Sequence, residues 1–274
     1  MRLRFGSARI TASCVLLLLG VPMRATADDD SPDSEPTVTP YRPTVSNPAS
    51  LPNPGWIEGE FGGLYTHADD NSHSASVPWL VKYAIGENYG ILVGGNAFVT
   101  SSPVGAKTSG GIGDLSVEWK QSFPLSEHAA FGFEAGEIVP TAAHDLGLGK
   151  PATIVNGIFS VDAGPVHIDL NAGGTRYTTH APGVSNWQSV WASAVSWSLM
   201  QSWGAAVELS GTQQHGAATH SQLLGAINYN RSAHLVFDFG MAYGLAHAAH
   251  DASVFAGATV LLGRVNQGRS TTGH

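Results

Sequence analysis

The chain has 274 residues, of which only 12% are charged, well below the roughly 25% usual for soluble domains, and 33 are glycine. Its mean hydropathy is near zero, and no apolar run of about 20 residues follows the N-terminus, which excludes a helical membrane span. The formal charge of −8 disfavours nucleic acid as a partner. Few charges, many glycines and no long apolar run suit a transmembrane barrel, whose strands need apolar side chains only at every second residue.

In chain order, Arg2, Arg4 and Arg9 form a positive n-region, Ile10 to Pro22 a short apolar core, and Ala25-Thr26-Ala27 a small-x-small cleavage pattern. Residues 1–27 therefore read as a signal peptide cut near Ala27. Cys14, the sole cysteine, leaves with it, so the mature chain has no disulfide in a compartment that permits one. Four arginines leave too, moving the formal charge to −12. Residues 28–54 (DDDSPDSEPTVTPYRPTVSNPASLPNP) are acidic and proline-rich, with little to bury. They read as a flexible periplasmic leader that becomes fixed near Asn53-Pro54.

From Gly55 the alternation has period two. Twelve strands are predicted over 55–66, 76–86, 89–100, 112–122, 129–139, 152–162, 166–176, 188–199, 203–211, 221–229, 233–244 and 253–263. Each has about 9 to 12 residues, the length that crosses a bilayer when tilted. Short links follow even-numbered strands, as at Ala163-Gly164-Pro165, although FPLSEH (123–128) fits this set least well. Longer polar loops follow odd-numbered strands, as at SSPVGAKTSGG (101–111) and YTTHAPGVSN (177–186). This alternation predicts an all-β, antiparallel up-and-down transmembrane barrel over 55–264, with short periplasmic turns, longer extracellular loops, and a tail over 265–274. A Greek-key sandwich has no reason to alternate so regularly.

The strand faces follow from parity. GIGDLSVEWKQ sets Leu115, Val117 and Trp119 against Asp114, Ser116, Glu118 and Lys120; VHIDLNAGG sets Val166, Ile168 and Leu170 against His167, Asp169 and Asn171. In a barrel the apolar set faces lipid and the polar set faces the lumen, because a charge facing lipid near the midplane costs about 2–4 kcal/mol. In AFGFEAGEIV, Glu134 and Glu137 have opposite parity, which requires a bulge or an interfacial position for one of them. Trp56, Tyr65, Tyr89, Phe123, Trp187, Trp203, Tyr229 and Tyr243 gather near strand ends, as interfacial girdles do, whereas Trp79 and Trp197 read as mid-strand.

The opening TPYRPTVSNPASLPNPGWIEGEFG, the strand GIGDLSVEWKQSF (Gly111, Gly113, Asp114, Lys120), HIDLNAGG (Leu170, Asn171, Gly173), AVELSG (Glu208) and the closing VFAGATVLLG occur in that order. Together they resemble the outer-membrane β-barrel transporter family labelled after the meta-pathway of phenol degradation. Two departures stand out: Pro140-Thr141-Ala142 replaces the family's Pro-Thr-Gly, and RVNQGRSTTGH follows Gly263. The resemblance implies passage of small solutes, aromatic or hydrophobic ones included.

The candidate lumen-lining, solute-binding residues are Glu58, Glu60, Asp114, Glu118, Lys120, Asp162, Asp169, Asn171, Glu208 and Asp238. Two readings stay open for them: a cation-favouring passage, or a filled barrel whose acids pair with Lys120 and with one another. Twelve histidines lie mostly in the long loops, and His247, His250 and Asp251 form a weak metal candidate without helical geometry. No GxSxG or HExxH appears, so no catalytic residue and no cofactor is assigned. The expected partners are a small-molecule solute, outer-membrane lipid and the barrel-assembly machinery, and the expected location is the bacterial outer membrane after export. The alternatives are an outer-membrane barrel hydrolase and a surface protein whose His-rich loops bind metal or ligand.

Overall fold

The computed structural model describes residues 35–143, 146–246 and 250–265. The signal segment 1–27, with its cleavage near Ala27, and the tail beyond 265 lie outside them. Alternating apolar and polar residues build β1 (Trp56–His67), β2 (His73–Ala84), β3 (Tyr89–Ser102), the three-residue β4 (Ser109–Gly111), β5 (Leu115–Ser126), β6 (Ala129–Val139) and β7 (Ala152–Ala163). They continue with β8 (Val166–Tyr177), β9 (Trp187–Met200), β10 (Trp203–Gln214), β11 (His220–Ser232), β12 (Leu235–Gly244) and β13 (Ala252–Arg264). Each long strand pairs antiparallel with its neighbours in chain order. β1 pairs with β13 from Trp56↔Arg264 to His67↔Ala252 and so closes the cylinder. β4 is a short ribbon on the end of β3, which leaves twelve strands in the wall.

Closure satisfies every ladder and removes the exposed edges that an open sheet would present. With an even strand number the start of β1 and the end of β13 lie at one end of the cylinder, where the links are tight: Gly164-Pro165, Gln201-Ser202 and Ala233-His234 have two residues each. Gly164 takes φ +64°, a left-handed conformation that makes this turn cheap for glycine. The FPLSEH link differs from expectation. β5 runs on to Ser126, leaving Glu127-His128 as the turn, and the register shifts between Pro124 and Ser126 because proline donates no ladder bond.

The faces are inverted relative to a soluble fold. Val117 is 41% exposed and Leu170 43%, while their strand neighbours Glu118 and Asp169 are 3% and 0% exposed. On the outward parity the described strands carry Glu137, Arg176, Arg231 and Arg264, each within two residues of a strand end. Glu137 therefore needs no bulge: β6 runs in regular register, Glu134 points inward, and Glu137 stands near the rim, where Thr153 Oγ1 donates to it at 2.7 Å. Rings mark the tight-turn end, with Tyr89 stacked on Trp119 and Trp203 against Tyr229. Trp197, expected mid-strand, belongs here too: it pairs with Val166, the first residue of β8, three residues before the end of β9. Trp79 stays mid-strand, opposite Phe61. The folded protein is expected to run at a different apparent mass in unboiled and boiled detergent gels, and a single band position would count against a closed barrel.

Candidate functional site

The described leader residues, 35–54, do not form a flexible segment outside the wall, as their composition suggested. They thread into the lumen and return to Gly55, whose N–H donates to Ala84 O at 2.8 Å at the tight-turn end. Six prolines (36, 40, 43, 48, 52 and 54) remove ladder donors at short intervals, so this segment cannot join the sheet. Its remaining N–H groups still need acceptors once buried. The inward side chains of the wall supply them.

In chain order, Val38 N–H donates to Ala233 O at 2.8 Å. Thr39 N–H donates to Glu58 (3.0 Å) and Tyr41 N–H to Glu60 (2.6 Å). The Arg42 guanidinium grips Asp238 through two bonds, at 3.0 and 2.9 Å. Val45 N–H and Ser46 N–H both reach Glu208 Oε2 at 2.7 Å. Asn47 N–H donates to Asn171 Oδ1 (2.9 Å), Asn171 returns a bond to Asn47 O (2.8 Å), and the Asn47 amide donates to Glu134 (2.6 Å). Ala49 N–H donates to Ser160 Oγ (2.7 Å), and Ser160 donates to Asp169.

Two lysines complete the set. Lys82 bridges Glu58 (2.9 Å) and Glu60 (2.6 Å) and donates to Thr39 O. Lys120 pairs with Glu134 (2.9 Å) and donates to Pro48 O (2.6 Å). The fully buried Tyr41 ring lies between their ammonium groups, 4.2 Å from Lys82 Nζ and 4.1 Å from Lys120 Nζ, and packs on Leu80 and Leu92. Its hydroxyl donates to Ser50 O at 2.7 Å, so the plug also closes on itself. Such buried charges persist only when paired and hydrogen-bonded. Plug and wall are therefore mutually dependent.

Of the residues singled out in the sequence, Glu58, Glu60, Lys120, Asn171, Glu208 and Asp238 touch the plug directly, and Asp169 does so through Ser160. Glu118 is buried on β5, two residues before Lys120. Asp162 sits at the tight-turn mouth, where His167 Nδ1 meets it at 2.6 Å while His167 Nε2 faces Asp169 at 3.1 Å. Asp114 precedes β5 rather than lying in it. It accepts from Ala142 N–H (2.9 Å) and Leu148 N–H (2.6 Å), pinning the β6–β7 loop inward. Sequence reasoning missed Tyr41, Arg42, Asn47, Lys82, Glu134 and Ser160. Lys82 and Glu134 share the inward parity of Leu80 and Ile138, a signal that was present; nothing local marks the leader residues.

No family model matches the chain, and no curated protein matches its sequence. Solved structures do match in shape. The COG4313 outer membrane channel from Pseudomonas putida F1 has a TM-score of 0.61 at 12% identity, covering 78% of this chain and 97% of that one. The KdgM porin in complex with disordered oligogalacturonate has a TM-score of 0.50 at 6% identity, covering 73% and 98%. The chain has the fold of an outer-membrane barrel.

Towards the long-loop end the inner face turns apolar. Leu64, Leu224, Ala226, Ala242 and Phe255 pack on one side, and Ile138, Ala152 and Ile154 with Leu148 and Tyr177 on another. The lumen thus holds residues 38–50 against acids in one half, and in the other carries apolar patches beside inward Thr66, Ser210, Gln222 and Ser253. Among the described residues no group of three or more His, Cys, Asp or Glu side chains is placed to hold a metal. His247 lies outside the described residues, while His250 stacks on Tyr243 and faces Gly244 O. Burial raises the loop carboxyl of Asp251 above its usual range, with His220 opposing and Asp69 and Asp70 adding to the rise.

Proposed function

We propose that the protein is an outer-membrane channel for small solutes, closed in this conformation by its own N-terminal segment. The observation that carries the reading is the pairing of an apolar outer belt with an inner wall whose acids are occupied by a strip of the same chain that lies outside the sheet. The plug is joined to the wall by hydrogen bonds and ion pairs rather than by sheet ladder. Water can replace such bonds as the strip withdraws, whereas the ladder of the wall has no substitute in hydrocarbon.

The solute range includes aromatic and hydrophobic molecules, in keeping with the resemblance to the meta-pathway transporter family and with the apolar patches towards the long-loop end of the lumen. The membrane is the bacterial outer membrane, reached after export and inserted by the barrel-assembly machinery. The reading assigns no catalytic step; a hydrolase would show turnover abolished by changing one loop histidine.

Deletion of residues 36–52 tests the proposal in planar bilayers. Six plug-facing carboxylates (Glu58, Glu60, Glu134, Asp169, Glu208 and Asp238) then face water with Lys82, Lys120 and, at Asp169, His167 as their remaining wall partners. The expected result is a conductance several-fold above the intact chain, and a reversal potential in a KCl gradient that favours potassium. The gel-mobility shift reports whether the shortened chain has folded. A folded variant that conducts no better than the intact chain, or that prefers chloride, would sink the proposal.

A further inference from the structure

The Arg42 contact is built more specifically than the rest of the plug. Asp238 on β12 is laterally paired with Gly257 on β13, and Gly257 with Gly62 on β1. The three positions form one row across the inner wall, a carboxylate beside two glycines. The guanidinium lies on those glycines. A Cβ at Gly257 would come within 2.5 Å of Arg42 Nε, and one at Gly62 within 2.7 Å of Nη2 and 2.8 Å of Cζ. Any other residue at either position would fill the space the group occupies and would also press on backbone, Ala256 O at 2.5 Å from a Gly62 Cβ and Phe61 O at 2.6 Å from a Gly257 Cβ.

At the edge of this floor Asp238 meets the fork with both oxygens, Nε to Oδ2 at 3.0 Å and Nη2 to Oδ1 at 2.9 Å. Bidentate geometry of this kind distinguishes a planar guanidinium from a point-charge ammonium. Two residues along β1 from Gly62, on the same face, the buried carboxylate of Glu60 keeps one oxygen, Oε2, without a hydrogen-bond partner among the described residues. Arg42 is the only cationic side chain in residues 35–54. When the plug leaves, this seat loses its counter-charge while Lys82 stays with Glu58 and Glu60.

We propose that Asp238, Gly257 and Gly62 form a binding site for a planar cation, a guanidinium or amidinium group, and that Arg42 is its tethered occupant. A solute carrying such a group competes with Arg42 one for one and favours the displaced plug. This inference rests on the reading of residues 35–54 as a displaceable plug, but the seat itself is tested without conduction.

Methylguanidinium is titrated calorimetrically into the full chain in detergent, with the gel-mobility shift confirming the fold of each variant. The Arg42→Gly protein is expected to bind one equivalent. Binding falls about tenfold or more in the wild type, whose seat is filled, and likewise when Asp238→Asn or Gly257→Val is added to Arg42→Gly. Ammonium, with the charge but not the fork, binds Arg42→Gly about tenfold or more weakly than methylguanidinium. The Arg42→Lys chain, which keeps a charge in place during folding, is expected to bind the probe better than the wild type and less well than Arg42→Gly. Equal binding of ammonium and methylguanidinium, or binding indifferent to Asp238→Asn, overturns the site. Failure of the plug deletion to raise conductance would instead sink the channel reading and leave this titration unaffected.

Discussion

Oxidation of an Ala49→Cys/Gly132→Cys double variant is expected to hold the channel shut, and reduction to release it. Gly132 lies on β6 beneath the returning arm of the plug, and a Cβ built there stands 3.2 Å from Ala49 Cβ. Disulfides need about 3.5–4.5 Å between these atoms, so the plug shifts by a few tenths of an ångström to admit the bond. Cys14, the only native cysteine, falls in the segment read as the signal, so no competing thiol is expected in the mature chain. The open fraction in planar bilayers falls at least about tenfold in the oxidised state, since a tether costing the displaced plug only ~1.4 kcal/mol already shifts the equilibrium by that factor. Reduced protein returns to the level of the single variants. Equal conduction before and after reduction would mean that solutes pass without moving the plug.

The second large effect concerns the outer face. Leu209, near the middle of β10 and 42% exposed, looks outward between Ser193 and Leu223. Leu209→Arg is expected to destabilise the barrel by about 2–4 kcal/mol in a bilayer, because the guanidinium must sit in hydrocarbon. Val139→Arg, at the end of β6, costs only about 0–1 kcal/mol, since the interface admits water. Denaturant unfolding of bilayer-reconstituted protein measures both. The natural positions of Glu137, Arg176 and Arg231, all near strand ends, obey the same rule. If the two substitutions cost the same, the belt around Leu209 does not face lipid.

These two results bear on different halves of one design. The wall tolerates acids inside only because the lumen supplies partners for them, and it tolerates none at mid-depth outside. Lys82 and Lys120 offset part of the acidic excess, and the backbone N–H groups of the plug offset more. A Glu208→Gln change would weaken two backbone bonds and the Ser46 hydroxyl bond at once, which makes Glu208 the most connected carboxylate of the plug contact.

By itself the sequence determined the strands, their antiparallel neighbours and the side of the wall on which most acids stand, though not which of Glu134 and Glu137 faces inward. Those features are local: a period of two places Glu58, Asp169 and Asp238 on one face whatever lies elsewhere. The even strand number and the alternation of short and long links then required a closed cylinder. The boundary at FPLSEH moved, because a strand continues wherever its neighbour offers a ladder, and the level of Trp197 was set by its pairing with Val166; both depend on register rather than composition. Only the tertiary structure decided what fills the cylinder. A segment of prolines and short polar residues carries no periodicity, and its composition suits a solvated tail as well as a plug. Its place is set by buried N–H groups and one arginine meeting carboxylates that converge from β1, β6, β8, β10 and β12, strands separated by as many as 196 residues from the plug they hold. Such a meeting exists only once the barrel has closed, which is why the acids were legible in the sequence and their partners were not.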